Sequence, residues 1–422
     1  MTITVYPPYG SDPNNPIYIN FNPTATDAFG RLQVSEPYTL FDSQNRYAID
    51  NQFDTSTSGT GTTSFLTNEA SVKMEVTGAG VGSVVRQSYR SFPYQPGKGL
   101  LVLATFVMDS SSSANLTQRV GYFNTQNGVF LQRVGTTPSF VLRSYVTGTA
   151  SDARTADQSS WNGDKLDGTG PSGITLDLSK AQILWMDFEW LGVGSIRCGF
   201  VINGVFILCH TFNNANEISN VYMTTATLPV RYEITSITSA VAASIKQICS
   251  TVISEGGYEQ ASIEHVARRT TIFTNIDTAA NFYPIVSIRL ASTALGSVVI
   301  PNRIQFQPTT LQNYEIALIK NPTLTGASWA AVSSDANVEM DVSATAISAA
   351  GTIVQTGYIA NTGGGGQTST VAPTGYNWDT QLGASISGTS DIYTLGVRTI
   401  SGATKGDIHG AVAPRNPRSC HV

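Results

Sequence analysis

Two carboxylates stand two residues apart in the segment WMDFEW, Asp187 and Glu189. On a β-strand an i, i+2 pair shares one face. Paired acids on one face suit glycoside cleavage, in which one carboxyl protonates the leaving oxygen and the other attacks or activates water. A cleaving strand of the form Glu-x-Asp-x-Glu carries its nucleophile first and its acid last. Here Trp185 fills the first place and the strand offers no replacement, so the pair reads as polar residues on a half-buried strand, and no catalytic residue is assigned. The four histidines, His210, His265, His409 and His421, are not spaced as metal pairs, whereas zinc needs four convergent ligands. Cys209 and His210, adjacent on a strand, point to opposite faces. Asp164, Asp167 and Asp177 surround a Gly-rich loop but miss the spacing of a calcium-binding hand, and read as a solvated loop. There is no G-x-S-x-G elbow, and NTGGGGQTST at 361–370 lacks the Lys and following helix of a phosphate cradle. No metal and no cofactor are expected. The aromatics Trp161, Trp329 and Trp378 sit beside Gly, Ser or Asn, as at loops or strand edges. Such rings either stack on sugars or anchor interfaces.

The elements that must position these residues are strands. Apolar runs such as GLLVLATFVM (99–108), QILWMDFEWLG (182–192), SIRCGFVINGVFILCHTF (195–212) and RYEIT (231–235) are short, β-branched or aromatic, and bounded by turn formers. Asn203-Gly204 between two apolar runs predicts a two-residue hairpin turn. The best helical candidate is the short DLSKAQ at 177–182. Hydrophobic residues make up 41% of the 422 residues and charged ones only 13%, about half the usual charged share of about 25%. Enough apolar mass is present for real cores, and the low charge suggests surface buried against other subunits. With 24 Lys and Arg against 29 Asp and Glu, the net charge is −5, which excludes nucleic acid as the partner because phosphate neutralisation needs clustered cations. No apolar run approaches the roughly 20 residues of a membrane span, and the N-terminus has no apolar signal region. Cys198, Cys209 and Cys249 read as small buried hydrophobes, while Cys420 in the tail is a candidate exposed thiol.

The expected architecture is all-β. Residues 1–40 carry six prolines interleaved with aromatics, a pattern that excludes helix and central strand. They predict an extended assembly arm with little regular structure, docked through Tyr6, Tyr9, Tyr18, Phe21 and Phe29. Residues 41–262 predict a large β-sandwich, concanavalin-like or jelly-roll. Residues 263–412 predict a second, smaller jelly-roll-like β domain, and 413–422 form a tail. The strands YEIALI and TLGVRTI are apolar on both faces, so one face is expected against a neighbouring subunit, in a homotrimer, or against the first domain.

Long segments carry a resemblance. DAFGRLQVSEPYTLFDSQNRYAIDNQFDT (27–55), SFPYQPGKGLLVL (91–103), RVGYFNTQNGVFLQ (119–132), WNGDKLDGTGPSG (161–173), the block 183–212 and SIKQICSTVISEGGYE (244–259) resemble a cyanophage-like family of bacteriophage virion structural proteins. The segment 313–359 resembles the jelly-roll-like modules towards the C-terminus of such proteins. The resemblance implies a many-copy component of a tail, baseplate, neck or head surface, localised to the virion and made in the host cytoplasm. Its partners would be itself and other particle proteins, and its function would be assembly without catalysis. The alternatives are a capsid decoration protein, or a receptor-binding appendage that meets a host surface glycan through exposed aromatics.

Overall fold

The computed structural model describes residues 36–239, 241–258, 262–277, 281–360, 380–400 and 405–417, with the strand backbones Thr2–Val5, Ile17–Asn20 and Ser369–Val371. The protein is all-β, as the sequence predicts. Its 3-10 turns at Thr67–Glu69 and Gln158–Ser160 are one turn long, and among the described residues no helix is long and apolar enough to cross a membrane. The helix expected at 177–182 is instead a turn. Asp177 Oδ1 accepts the Ser179 N–H at 3.0 Å and the Ser179 hydroxyl at 2.6 Å, and the chain runs directly into the strand Gln182–Phe188. A side chain that satisfies the next N–H groups competes with helical bonding.

Two antiparallel sheets form the first module. A seven-stranded sheet runs in the order Ser151–Asp157, Thr137–Ser144, Gly128–Val134, Leu116–Phe123, Val230–Ser236, Gly82–Ser88, Phe53–Gly59. The eight-stranded partner runs Val205–Phe212, Ile196–Ile202, Gln182–Phe188, Leu100–Val107, Ala243–Ser254, Ser71–Val76, Gly61–Leu66, with Tyr38–Gln44 also paired to Ala243–Ser254. Period two decides the faces. In Leu100–Val107, Leu100, Val102, Ala104 and Phe106 enter the core between the sheets, while Leu101, Leu103, Thr105 and Val107 are half-buried on the outer face. Met186, Tyr122, Phe200 and Tyr232 join that core, and burying each large apolar side chain contributes about 1.5–3 kcal/mol. One cation crosses it: Arg86 donates to Gln247 Oε1 of the other sheet at 2.6 Å and to Thr55 Oγ1 at 2.7 Å, and burial pushes its guanidinium down to about 10. The Asn203-Gly204 hairpin is present, with φ of +53° and +78°.

Cys198 and Cys209 are buried as expected, but Cys249 is exposed. A register shift between Gln247 and Ser250 breaks the alternation of its strand and turns the thiol outward.

The second module stacks two sheets built around Gly406–Pro417 and Ile300–Pro308 on one side, and Tyr283–Leu290, Ile392–Thr399 and Asn313–Lys320 on the other. Ile285, Ile288, Phe306, Tyr314, Leu318 and Leu395 fill its core. The double-sided apolarity of YEIALI has a cover within the chain. Ala317 and Ile319 turn away from the main core and pack with Phe282, Ile347 and Leu324 beneath the hairpin of Thr323–Thr325 and Ala346–Ala349. Neither a neighbouring subunit nor the first domain is needed there. The two modules meet directly: Val298 and Ile300 join the first core, Ala384 N–H donates to Tyr89 O at 2.9 Å, and Ile386 N–H donates to Asp54 Oδ2 at 2.7 Å.

Within residues 1–35 the structure describes an antiparallel pairing of Thr2–Val5 with Ile17–Asn20, where TITV and IYIN lie clear of the prolines between them. Tyr18 is opposite Thr4 in that ladder. Tyr6, Tyr9, Phe21 and Phe29 lie outside the described residues, as do Trp378, Cys420 and most of the 361–370 segment.

Candidate functional site

Strand alternation sends Leu184, Met186 and Phe188 into the core and leaves Trp185 and Asp187, followed by Glu189, on the outer face of the eight-stranded sheet. Directly opposite Asp187 stands Arg197 of the neighbouring strand, and its guanidinium bonds the Asp187 carboxylate. On the other flank the strand Ala243–Ser254 ends in Glu255, whose N–H donates to Gly99 O at 2.9 Å. Gly99 lies between the two acids. A Cβ there would be 2.4 Å from Glu255 Oε2 and 3.6 Å from Asp187 Oδ1, so the absent side chain is what lets the carboxyls meet.

The bare Gly99 leaves the Glu255 and Asp187 carboxyls side by side. Burial, then the Asp187 charge, raise the Glu255 carboxyl above its ordinary range, with Arg197 opposing. The strand itself carries no third acid, but Glu255 arrives beside it from a strand distant in sequence, two residues beyond Ile253 on the same outer face. The only signal for it is that alternation, Thr251, Ile253, Glu255.

The three acids line a cleft of about 530 Å³ with Tyr94, Lys98, Ser195, Arg197 and Thr211 among its walls. The rim loop is tightly closed. Glu189 N–H donates to Ser195 O at 3.1 Å and Gly194 N–H to Trp190 O at 2.7 Å, with Leu191 and Gly192 at positive φ. A carboxyl pair in direct contact, with one member neutralised by Arg197, is closer together than the roughly 5 Å separation of a retaining pair flanking a scissile bond. Beside the cleft the same face turns apolar: Phe206, 54% exposed, lies edge-on to Trp185 at 5.7 Å, and Ile183 and Leu208 are exposed nearby. Trp185 itself lies flat over Gly199, where a Cβ would come within 2.8 Å of the indole Nε1.

Other candidates fall elsewhere. Trp161 is a core residue, 2% exposed, its ring tilted against Phe140 at 4.8 Å with its Nε1 donating to Ala156 O at 3.1 Å. Burial removes it from any role on a glycan or interface. Trp329 is half-buried beneath the Arg289 guanidinium, 4.3 Å from its ring. Asp164 and Asp167 spend their oxygens inside the loop: Asp164 accepts the N–H groups of Leu166 and Ser172, and Asp167 accepts that of Thr169. Cys209 is in the core, and His210 packs edge-on to Phe212 at 4.5 Å, its imidazole held low by burial and by Arg154. Among the described residues no three His, Cys, Asp or Glu side chains converge as a metal site.

No known protein family matches the chain, and no curated protein does. Solved structures similar to it include the carbohydrate recognition domain of Emp47p (TM-score 0.32, 9% identity, 56% of this chain and 99% of that one). Arcelin-5, a lectin-like defence protein from Phaseolus vulgaris, is similar over 52% of this chain and 98% of its own at TM-score 0.32 and 8% identity. The β-glucanase of Bacillus licheniformis is similar at TM-score 0.32 and 9% identity, over 52% of this chain and 98% of its own. Binding proteins and enzymes both stand among these distant likenesses, so they do not choose between the two.

Proposed function

We propose that this chain is a non-enzymatic structural component of a bacteriophage particle, working through contacts with copies of itself and with other particle proteins. The observation that carries this reading is the origin of the charged cleft. Every residue lining it belongs to 91–103, 183–212 or 244–259, three of the segments in which the chain resembles virion structural proteins. Asp187 is held by Arg197 and crowded by Glu255, an arrangement suited to recognition. The exposed apolar residues beside it, Ile183, Phe206 and Leu208, are surface that a protein partner would cover. Closed cyclic symmetry is the usual arrangement of identical chains. A homotrimer is the assembly proposed, on symmetry alone, since the second face of Asn313–Lys320 is covered within the chain by Phe282, Ile347 and Leu324.

The test is mass spectrometry and reconstruction of purified particles from the phage that encodes the chain. The expected result is many copies per particle, with the outer sheet face against a neighbouring protein. Absence of the chain from purified particles overturns the reading.

A further inference from the structure

A second cleft, of about 660 Å³, lies between the two modules, and its chemistry is unlike that of the first. Among the described residues no Asp, Glu, Lys, Arg or His lines it. Its walls are hydroxyls and carboxamides, Gln126, Thr225, Ser292 and Asn337 among them, with the rings of Tyr94 and Trp190. The walls are held from behind. Asn127, fully buried, donates from Nδ2 to Thr224 Oγ1 at 2.8 Å, and its Oδ1 accepts the Thr224 N–H at 3.0 Å. Asn124 Oδ1 closes the adjoining turn by accepting the N–H groups of Gln126 and Asn127, each at 2.8 Å. On the second module, Ala291 N–H donates to Asn337 O at 3.0 Å and Ser297 N–H to Ala294 O at 3.0 Å. Trp190, 7% exposed, keeps its indole N–H buried and without a hydrogen-bond partner among the described residues. Buried donors are seldom left unmade.

Each feature narrows the ligand. Without cations the cleft does not suit a phosphate or carboxylate, and without acids it does not suit a hard metal ion. Its apolar side chains are few, Leu295 and two alanines, too little for a lipid tail. The volume falls in the range of small-molecule sites. A ligand that donates and accepts through many neutral hydroxyls fits all of these. We propose that the junction cleft binds a neutral saccharide, with Gln126, Thr225 and Asn337 on its hydroxyls.

This goes beyond the contact function and stands or falls separately from it. Saturation-transfer NMR on the full chain, with maltose, cellobiose, lactose and N,N′-diacetylchitobiose as probes, is the direct test. Transfer to at least one disaccharide is expected, with affinity weakened about tenfold or more in Gln126→Ala and Asn337→Ala and unchanged in Arg197→Ala of the charged cleft. Thermal unfolding of the Gln126→Ala and Asn337→Ala variants should match that of the parent chain. No transfer to any probe, or transfer that persists unweakened in a Gln126→Ala/Asn337→Ala double variant, overturns the proposal.

Discussion

The crowding of Glu255 against Asp187 gives the stability of the sandwich a definite pH sign. Burial, then the Asp187 charge, raise the Glu255 carboxyl in the folded chain, so the folded state holds this proton more tightly than the unfolded one. Such a group stabilises fully below the ordinary glutamate range, and its contribution is lost as pH rises through the elevated value. Glu255→Gln cannot ionise and keeps a donor for Asp187. Its melting temperature should match wild type in acid and exceed it at pH 8; a difference that does not change with pH would defeat this account. Asp187 and Glu189 are predicted not to be catalytic, since Arg197 and Glu255 occupy the Asp187 oxygens. Reducing-sugar release that disappears in Glu189→Gln would overturn that. At this scale the sequence displays Asp187 and Glu189 because they share one strand. Glu255 is hidden by the length of chain that intervenes, and Trp161 misleads because its polar neighbours form a loop that folds its ring back onto Phe140.

Strands and turns were more legible than sites because their signals are local. Alternation in Leu100–Val107 and the Asn203-Gly204 pair both specify geometry within a few residues. What alternation does not reveal is a bulge, and the one between Gln247 and Ser250 reverses the expected burial of Cys249. Thiol labelling reads this out. In a Cys420→Ser background, maleimide should modify Cys249 in the native protein and reach Cys198 and Cys209 only after unfolding. Burial raises the Cys249 thiol above its ordinary range, so its labelling should be slow at neutral pH and speed up as pH rises. Native labelling of Cys198 or Cys209 at the rate of Cys249 would contradict the strand register. The second apolar face of YEIALI was likewise visible in sequence, but its cover is not: the hairpin of Thr323–Thr325 and Ala346–Ala349 is short and only weakly apolar, and its lid role depends on Phe282 and Ile347 meeting beneath it.

For the whole molecule, the N-terminal segment and the two modules make separable demands. The described cores begin at Leu40, and the module junction is held by Val298, Ile300, Ala384 and Ile386 against the first sandwich. Removing residues 1–35 therefore leaves every one of those contacts in place. What it removes is a Pro-rich stretch carrying Tyr6, Tyr9, Tyr18, Phe21 and Phe29, aromatics whose burial on a partner would contribute about 1.5–3 kcal/mol each. A contact of that kind acts between chains, so its loss should appear in assembly and leave folding intact. The shortened chain is expected to melt within a few degrees of the full one and to keep saccharide binding at the junction, while failing to enter particles when supplied in place of the full chain. Normal incorporation of the shortened chain would show that residues 1–35 are not the assembly arm, and a collapse of its melting temperature would show that they belong to the fold itself.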